Sequence, residues 1–198
     1  MTSLEPVRLA AIAYDRGFDI DRLLVEACER LIRRGVRLGG LLQISTGGKG
    51  GCAATVRVVD LRTSTAFDIW EERGPCAKGC RLDERSLADA SQAIDKAIAD
   101  GVDLVIMNRF GRAESLGGGL LASLTGAVAA ELPVLTAVRA PYDVAWRRFH
   151  GGLAQELHAD VTEVVAWAEH TIGYFFRPSE AVEPQAKSQR SLSEQCLR

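Results

Sequence analysis

A short polar stretch between a predicted strand and a predicted helix carries side chains that suit an anion or a metal ion: Asp15, Arg16, Gly17 and Asp19. Apolar residues over 7–13 predict the strand, and apolar residues at helical spacing over 20–34 predict the helix. Backbone N–H groups and the helix dipole attract anions at such a junction. The stretch has no lysine or serine, which a phosphate loop requires. An ordinary turn with Asp19 as the helix N-cap is the alternative, and both interpretations stay open.

A second group of candidate ligand-binding residues begins at the last residue of the predicted strand 103–108: Asn108, Arg109, Gly111, Arg112 and Glu114. A third group, from Arg139 to His150, follows the apolar run 133–138. Ligands of open α/β sheets collect beyond the carboxyl ends of the strands, so these groups should meet at one edge. Guanidinium groups there suit an oxyanion or a phosphorylated molecule. Solvated helix ends or a subunit interface would produce the same pattern.

Cys76 and Cys80 are the candidate metal ligands, because "CAKGC" places two thiols in one loop. Two thiolates would need two further ligands for a closed zinc site, and Cys52 with a histidine would supply them. A redox pair and incidental thiols are the alternatives. Cys28 lies on the apolar stripe of the first helix and is expected in the core.

The predicted elements give an α/β fold with a largely parallel sheet flanked by helices. Strands over 7–13, 36–43, 103–108 and 133–138 alternate with helices over 20–34, 84–100, 119–131 and 160–170. Two β-rich runs in "TVRVVDLRTSTAFDIW" predict an inserted antiparallel hairpin. We expect a single domain over residues 1–176 and a disordered tail over 177–198, which is polar and lacks periodicity.

The balance of charge narrows the range of partners. The chain has 24 basic and 26 acidic residues, which gives no electrostatic footprint for nucleic acid or an anionic membrane. No apolar run approaches the roughly 20 residues of a membrane span, and the start lacks a signal-peptide pattern. A cytoplasmic protein is therefore expected, and a homo-oligomer is left open.

The stretch "GGLLQISTGGKGGCAATVRVVDLRTSTAFDIW" resembles the glycine-rich turn and hairpin of nucleoside triphosphatases best known from thermophiles. More closely, "GCRLD", "DLVIMNRFGRAES" and "PVLTAV" resemble a bacterial family of unknown function that is related to those enzymes. That family often occurs beside molybdate-transport genes. The resemblance covers residues 7–170 and implies a P-loop-like fold with an inherited phosphate pocket.

The departures from the triphosphatase pattern imply a degenerate phosphate loop. "DRGFDID" has no lysine, and Asn108 and Arg109 stand where an acidic pair would hold magnesium and direct water. A conventional P-loop triphosphatase is therefore not expected. The leading hypothesis is a small-ligand binding protein for an oxyanion such as molybdate or tungstate, or for a nucleotide, linked to molybdenum homeostasis.

Two other functions remain open. A nucleotide-dependent enzyme with a rebuilt active site would use Asp15, Asp19 and Glu114 to hold Mg²⁺ with its nucleotide. A regulatory or assembly module would contact a partner through the glycine-rich stretch 46–53 and the predicted hairpin.

Overall fold

The computed structural model describes residues 7–46, 55–71 and 81–175. The strands within these ranges are β1 (Leu9–Ala13), β2 (Leu38–Thr46), β3 (Thr55–Asp60), β4 (Ala66–Phe67), β5 (Trp70–Glu71), β6 (Arg81–Leu82), β7 (Leu104–Met107), β8 (Val134–Val138) and β9 (Ala154–Leu157). The helices are α1 (Ile20–Arg33), α2 (Glu84–Ala99), α3 (Arg112–Ser115), α4 (Leu121–Ala129), α5 (Asp143–His150) and α6 (Val161–Phe175).

A seven-stranded sheet in the order β4-β3-β2-β7-β8-β1-β9 forms the centre of the fold. Strands β2, β7, β8, β1 and β9 are parallel, and β1 lies between β8 and β9. Strands β3 and β4 extend the sheet as an antiparallel hairpin in which Val58 is opposite Phe67. Strands β5 and β6 form a separate two-stranded pair. The carboxyl ends of the parallel strands therefore meet at one edge, as the sequence predicts.

The central strands bury side chains on both faces of the sheet. In β7, Leu104 and Ile106 pack with helices α1 and α6, whereas Val105 and Met107 pack with α2, α4 and α5. This two-sided burial explains why the strands are continuous apolar runs without a polar face. The α/β class with a largely parallel sheet and an inserted hairpin is thus confirmed.

Gly40 allows β2 to approach β7 closely. Its φ angle is +97°, and a Cβ atom there would lie 2.1 Å from the carbonyl oxygen of Ile106. Only glycine adopts this conformation at no steric cost and leaves room for the neighbouring backbone. The glycine is therefore required by strand pairing.

Helices α1 and α2 each begin at a capping aspartate. Asp19 accepts the Arg22 N–H at 3.1 Å at the start of α1, which confirms its predicted N-cap role. Asp83 caps α2 and accepts from the Ser86 hydroxyl at 2.6 Å and from the Arg85 N–H at 3.1 Å. The Ser86 hydrogen bond lowers the pKa of Asp83, because it stabilises the charged carboxylate.

Cys28 lies in the core, as its place on the apolar stripe of α1 predicts. The residue is 1% exposed, and burial, with a smaller contribution from Glu29, raises the pKa of its thiol to about 12. The thiol is accordingly neutral and inert near pH 7.

The sequence does not predict two elements near the third candidate group, α5 and β9. Strand β9 lies at the edge of the sheet and exposes Gln155 and Glu156, so it has no apolar run to reveal it. The predicted tail, residues 177–198, lies outside the described residues, as do Cys52, Cys76 and Cys80. Within the described ranges, none of the helices combines the length and the apolar character of a membrane span.

Candidate ligand-binding site

The carboxylate of Asp21, in the first turn of α1, joins three elements at the carboxyl edge of the sheet. Arg109 Nη2 donates to both Asp21 oxygens at 3.1 Å. The side-chain amides of Asn108 and Gln43 donate to one oxygen each, also at 3.1 Å. The side chains of Asp21 and Arg109 are 16% and 29% exposed. The positive charge of Arg109 is thus matched by a carboxylate of the chain itself.

Several backbone N–H groups at the turn between β1 and α1 donate hydrogen bonds to acceptors within the turn itself. The N–H of Phe18 donates to the Asp15 carbonyl at 3.1 Å, and the N–H of Ile20 donates to the Phe18 carbonyl at 3.0 Å. The Arg22 N–H is bound to the Asp19 side chain. A phosphate loop instead directs successive free N–H groups at its ligand. This turn therefore has fewer amides to offer than an open phosphate loop.

A cavity of about 270 Å³ lies beyond the carboxyl end of β7, beneath the β3–β4 hairpin. We call it the hairpin cavity. Its lining comprises Tyr14, Gln43, Val58, Ile69, Leu87, Met107, Asn108, Arg109, Phe110, Gly111, Arg112, Ala113, Glu114, Gly119, Leu120, Leu124, Thr136, Arg139 and Tyr142. The cavity combines apolar walls with a few polar groups, which is the usual character of a small-molecule site.

Arg112 and Arg139 supply uncompensated positive charge to the hairpin cavity. Arg112 is exposed, and Arg139 donates to the carbonyl oxygen of its neighbour Ala140 at 3.1 Å. In the part of the chain that the structure describes, neither guanidinium pairs with a carboxylate. These two groups differ in this respect from Arg109, and they suit an anionic ligand.

Glu114 fixes the loop that forms one wall of the cavity. Its two carboxylate oxygens accept the N–H groups of Gly111 and Leu120, each at 3.0 Å. Gly119 permits this contact, because a Cβ there would lie 2.2 Å from a Glu114 oxygen. Both oxygens of Glu114 therefore have structural partners.

A second cavity, of about 540 Å³, adjoins the first. We call it the α5 cavity, and its lining comprises Ala13, Tyr14, Asp15, Val138, Arg139, Ala140, Asp143, Trp146, Arg147, His150, Ala154 and Glu156. Nδ1 of His150 accepts the N–H groups of Gly152 and Ala154, at 3.0 and 3.3 Å. These two contacts tie the imidazole to the backbone that follows α5. Trp146 is 5% exposed and packs against His150, as expected for a core aromatic.

The structure brings together five of the predicted site residues and separates the others. The five that line the hairpin cavity are Asn108, Arg109, Gly111, Arg112 and Glu114. Asp15 lines the α5 cavity. Arg16, Gly17 and Asp19 lie in the exposed turn and, among the described residues, line neither cavity.

The three carboxylates that the enzyme hypothesis assigns to magnesium, Asp15, Asp19 and Glu114, are not brought together in the structure. Within 7–46, 55–71 and 81–175 there is no group of three or more histidine, cysteine, aspartate or glutamate side chains that could hold a metal ion. The set of Asp15, Asp19 and Glu114 therefore does not form the magnesium site that the enzyme hypothesis needs. The Cys76 and Cys80 hypothesis falls outside these ranges.

Sequence reasoning missed Asp21, Tyr14 and Gln43. Asp21 resembles any acidic residue in the first turn of a helix, which the helix dipole favours. Its partner Arg109 is 88 positions away along the chain. Tyr14 and Gln43 carry no motif either, so spacing alone gives no signal for this network.

Comparison with known proteins identifies the family. Residues 9–167 match the family described as "Protein of unknown function (DUF2478)". The chain belongs to this DUF2478 family. The expected membership in a family of unknown function is thereby confirmed.

The DUF2478 chain is also similar to part of a larger curated protein. It is 39% identical over 168 residues to Molybdenum import ATP-binding protein ModC 2 of Bradyrhizobium diazoefficiens. The match covers 85% of this chain but 19% of the relative, so the chain spans about a fifth of that protein.

A solved structure shares the fold of this DUF2478 protein. The solution structure of a human cancer-related nucleoside triphosphatase has a TM-score of 0.56 and 16% sequence identity to it. The match covers 76% of this chain and 88% of that protein. The fold is thus similar to that of this nucleoside triphosphatase.

Proposed function

We propose that this DUF2478 protein binds a small anion, either an oxyanion such as molybdate or tungstate or a nucleotide, in the hairpin cavity. The observation that carries the proposal is the pair of arginines, Arg112 and Arg139, that line this cavity without a carboxylate partner in the described residues. Guanidinium groups bind oxyanions through paired N–H donors. A bound anion would supply the missing negative charge.

Arg109 has a different role in this proposal from the one that the sequence suggests. Since Asp21 accepts two hydrogen bonds from Arg109, the guanidinium is held in place and its charge is offset. Arg109 then positions Tyr14, whose hydroxyl accepts from Arg109 Nη1 at 3.3 Å. The phenol proton remains available for a ligand oxygen.

The proposed link to molybdenum rests on the relative that is named a molybdenum import ATP-binding protein. The match covers 19% of that protein, so its name refers to a protein much longer than the segment shared with this chain. We therefore place molybdate and tungstate beside ATP among the ligands to be tested.

The proposal is binding without the usual hydrolysis of nucleotide. The sequence contains no Gly-Lys pair followed by serine or threonine, which a phosphate loop uses for its phosphates and magnesium. The end of β7 offers Asn108 and Arg109 in place of acidic groups. The degenerate phosphate loop is thus part of the proposal.

Thermal melting against a panel of anions tests this function. The panel is molybdate, tungstate, sulfate, phosphate, ATP and GTP, each with and without Mg²⁺. A ligand at one hundred times its dissociation constant stabilises the folded state by about 2.7 kcal/mol, which raises Tm by a few degrees. Stabilisation by a member of the panel without Mg²⁺ supports the proposal, and no stabilisation by any of them overturns it.

A further inference from the structure

The walls of the hairpin cavity are largely apolar. Val58 and Ile69 come from the inserted hairpin and the residues after it, Leu87 from α2, and Leu124 from α4. The volume of about 270 Å³ corresponds to roughly nine water molecules. A bare tetrahedral oxyanion would fill only part of this space and would leave the apolar walls in contact with water. The cavity therefore suits a ligand with an apolar body.

Two polar residues of the hairpin cavity lie at its border with the α5 cavity. They are Tyr14 and Arg139, each of which lines both cavities. Arg139 has a backbone carbonyl and the ring of Tyr142, 5.9 Å from its Cζ, as neighbours. Tyr14 accepts a hydrogen bond from Arg109 and keeps its own proton for an acceptor. This border thus presents a guanidinium and a hydroxyl to one anionic group.

We propose that the ligand is a phosphate monoester whose apolar body occupies the hairpin cavity and whose phosphate contacts Arg139 and Tyr14. This inference rests on the proposed anion-binding function and narrows its ligand class. Arg139 and Tyr14 together offer several hydrogen-bond donors. The oxygens of a phosphate group can accept more of these hydrogen bonds than the two oxygens of a carboxylate can. The apolar walls then discriminate between the ester and the inorganic anion, because only the ester removes them from water.

The chosen probes are phenyl phosphate, inorganic phosphate and phenol, titrated into the full chain by calorimetry. Phenyl phosphate should bind at least about tenfold tighter than inorganic phosphate, since even one apolar group in such a pocket changes affinity by this factor. Phenol should bind more weakly than phenyl phosphate, because it lacks the group that Arg139 and Tyr14 hold.

A variant with a larger side chain at the cavity wall tests whether the apolar body of the ligand binds in the hairpin cavity. Leu87→Phe places an aromatic ring, which is larger than the leucine side chain, at the cavity wall and should weaken phenyl phosphate binding about tenfold or more. Ile98→Phe is the matched control, because Ile98 lies on the same helix and does not line the cavity in the described part of the chain. The control should bind phenyl phosphate as the wild type does.

The outcomes separate this inference from the function on which it rests. Equal affinity for phenyl phosphate and inorganic phosphate would overturn the proposal that the ligand is a phosphate monoester, while the anion-binding function would stand. No binding of phenyl phosphate would also overturn it, and the panel of inorganic anions and nucleotides would then decide the function independently. Both comparisons use the wild-type protein, so neither depends on the folding of a variant.

Discussion

Arg109, which follows strand β7, donates to both carboxylate oxygens of Asp21 in the first turn of α1, at 3.1 Å each. This ion pair joins two elements that border the edge where ligands of open α/β sheets bind. A carboxylate of the chain therefore lies in the first turn of α1, at this edge of the sheet. The pair therefore organises the site while it removes Arg109 from the charges available to a ligand.

Asp21→Asn should destabilise the fold by about 1–3 kcal/mol, because it leaves the half-buried Arg109 without its charged partner. Urea denaturation measures the loss. A double-mutant cycle with Arg109→Gln should give a coupling energy above the roughly 0.5 kcal/mol of an exposed pair. The exposed pair of Arg57 and Asp68, at 2.6 Å, is the control cycle. Equal coupling energies in the two cycles would show that the Asp21 pair has no special structural role.

Glu114→Gln should lower the free energy of unfolding by about 1–3 kcal/mol, because a carboxylate that accepts two backbone N–H groups is replaced by an amide with one acceptor. The dependence of Tm on Mg²⁺ should be the same in the wild type and the variant. A rise in Tm with Mg²⁺ that occurs only in the wild type would identify Glu114 as a metal ligand and favour the enzyme hypothesis.

Gly40→Ala should cost about 3 kcal/mol or more, since the new Cβ would meet the Ile106 carbonyl oxygen at 2.1 Å. Gly35→Ala is the matched control, because Gly35 also has a positive φ but has nothing within 4 Å of the added atom. The control should lose only about 1 kcal/mol from backbone strain. Similar losses measured by chemical denaturation would mean that the approach of β2 to β7 is not tight.

Cys28 should make the fold less stable in alkali. Burial raises its pKa from 9.0 to about 12, so the folded state favours the neutral thiol. Its contribution is fully present below the unfolded value and is lost as the pH rises towards 12, at up to about 1.4 kcal/mol per pH unit. Cys28→Ala should show a shallower loss of stability from pH 9 to pH 11 in urea titrations. An unchanged slope would contradict the buried, neutral thiol.

The sequence predicts the strands and helices whose pattern is local. Buried parallel strands such as β1 and β8 are short apolar runs, and α1 has both an apolar stripe and a capping aspartate. Strand β9 escapes prediction because only one of its four residues is fully buried. Helix α5 follows a proline and has a charged face with one buried side chain, Trp146, so the sequence leaves a turn and the start of a helix as alternatives there.

The candidate site is predictable only in part, for a related reason. Asn108, Arg109 and Arg112 follow an obvious strand, so the rule that ligands bind beyond strand ends finds them. Asp21 and Tyr14 acquire their roles from contacts with residues more than 80 positions away, and no local spacing records such contacts. The sequence also cannot show that the charge of Arg109 is already neutralised.

The most direct test of the proposed anion site is a calorimetric titration of molybdate, phosphate and ATP into the wild type and the Arg112→Gln, Arg139→Gln double variant. The wild type should bind at least one of these anions, and the double variant should bind it at least about tenfold more weakly, since each charged hydrogen bond contributes about 1.5–3 kcal/mol. Arg148→Gln, an exposed arginine outside both cavities in the described residues, should bind as the wild type does. Equal binding by the wild type and the double variant, or no binding of any of the three anions, would contradict the account.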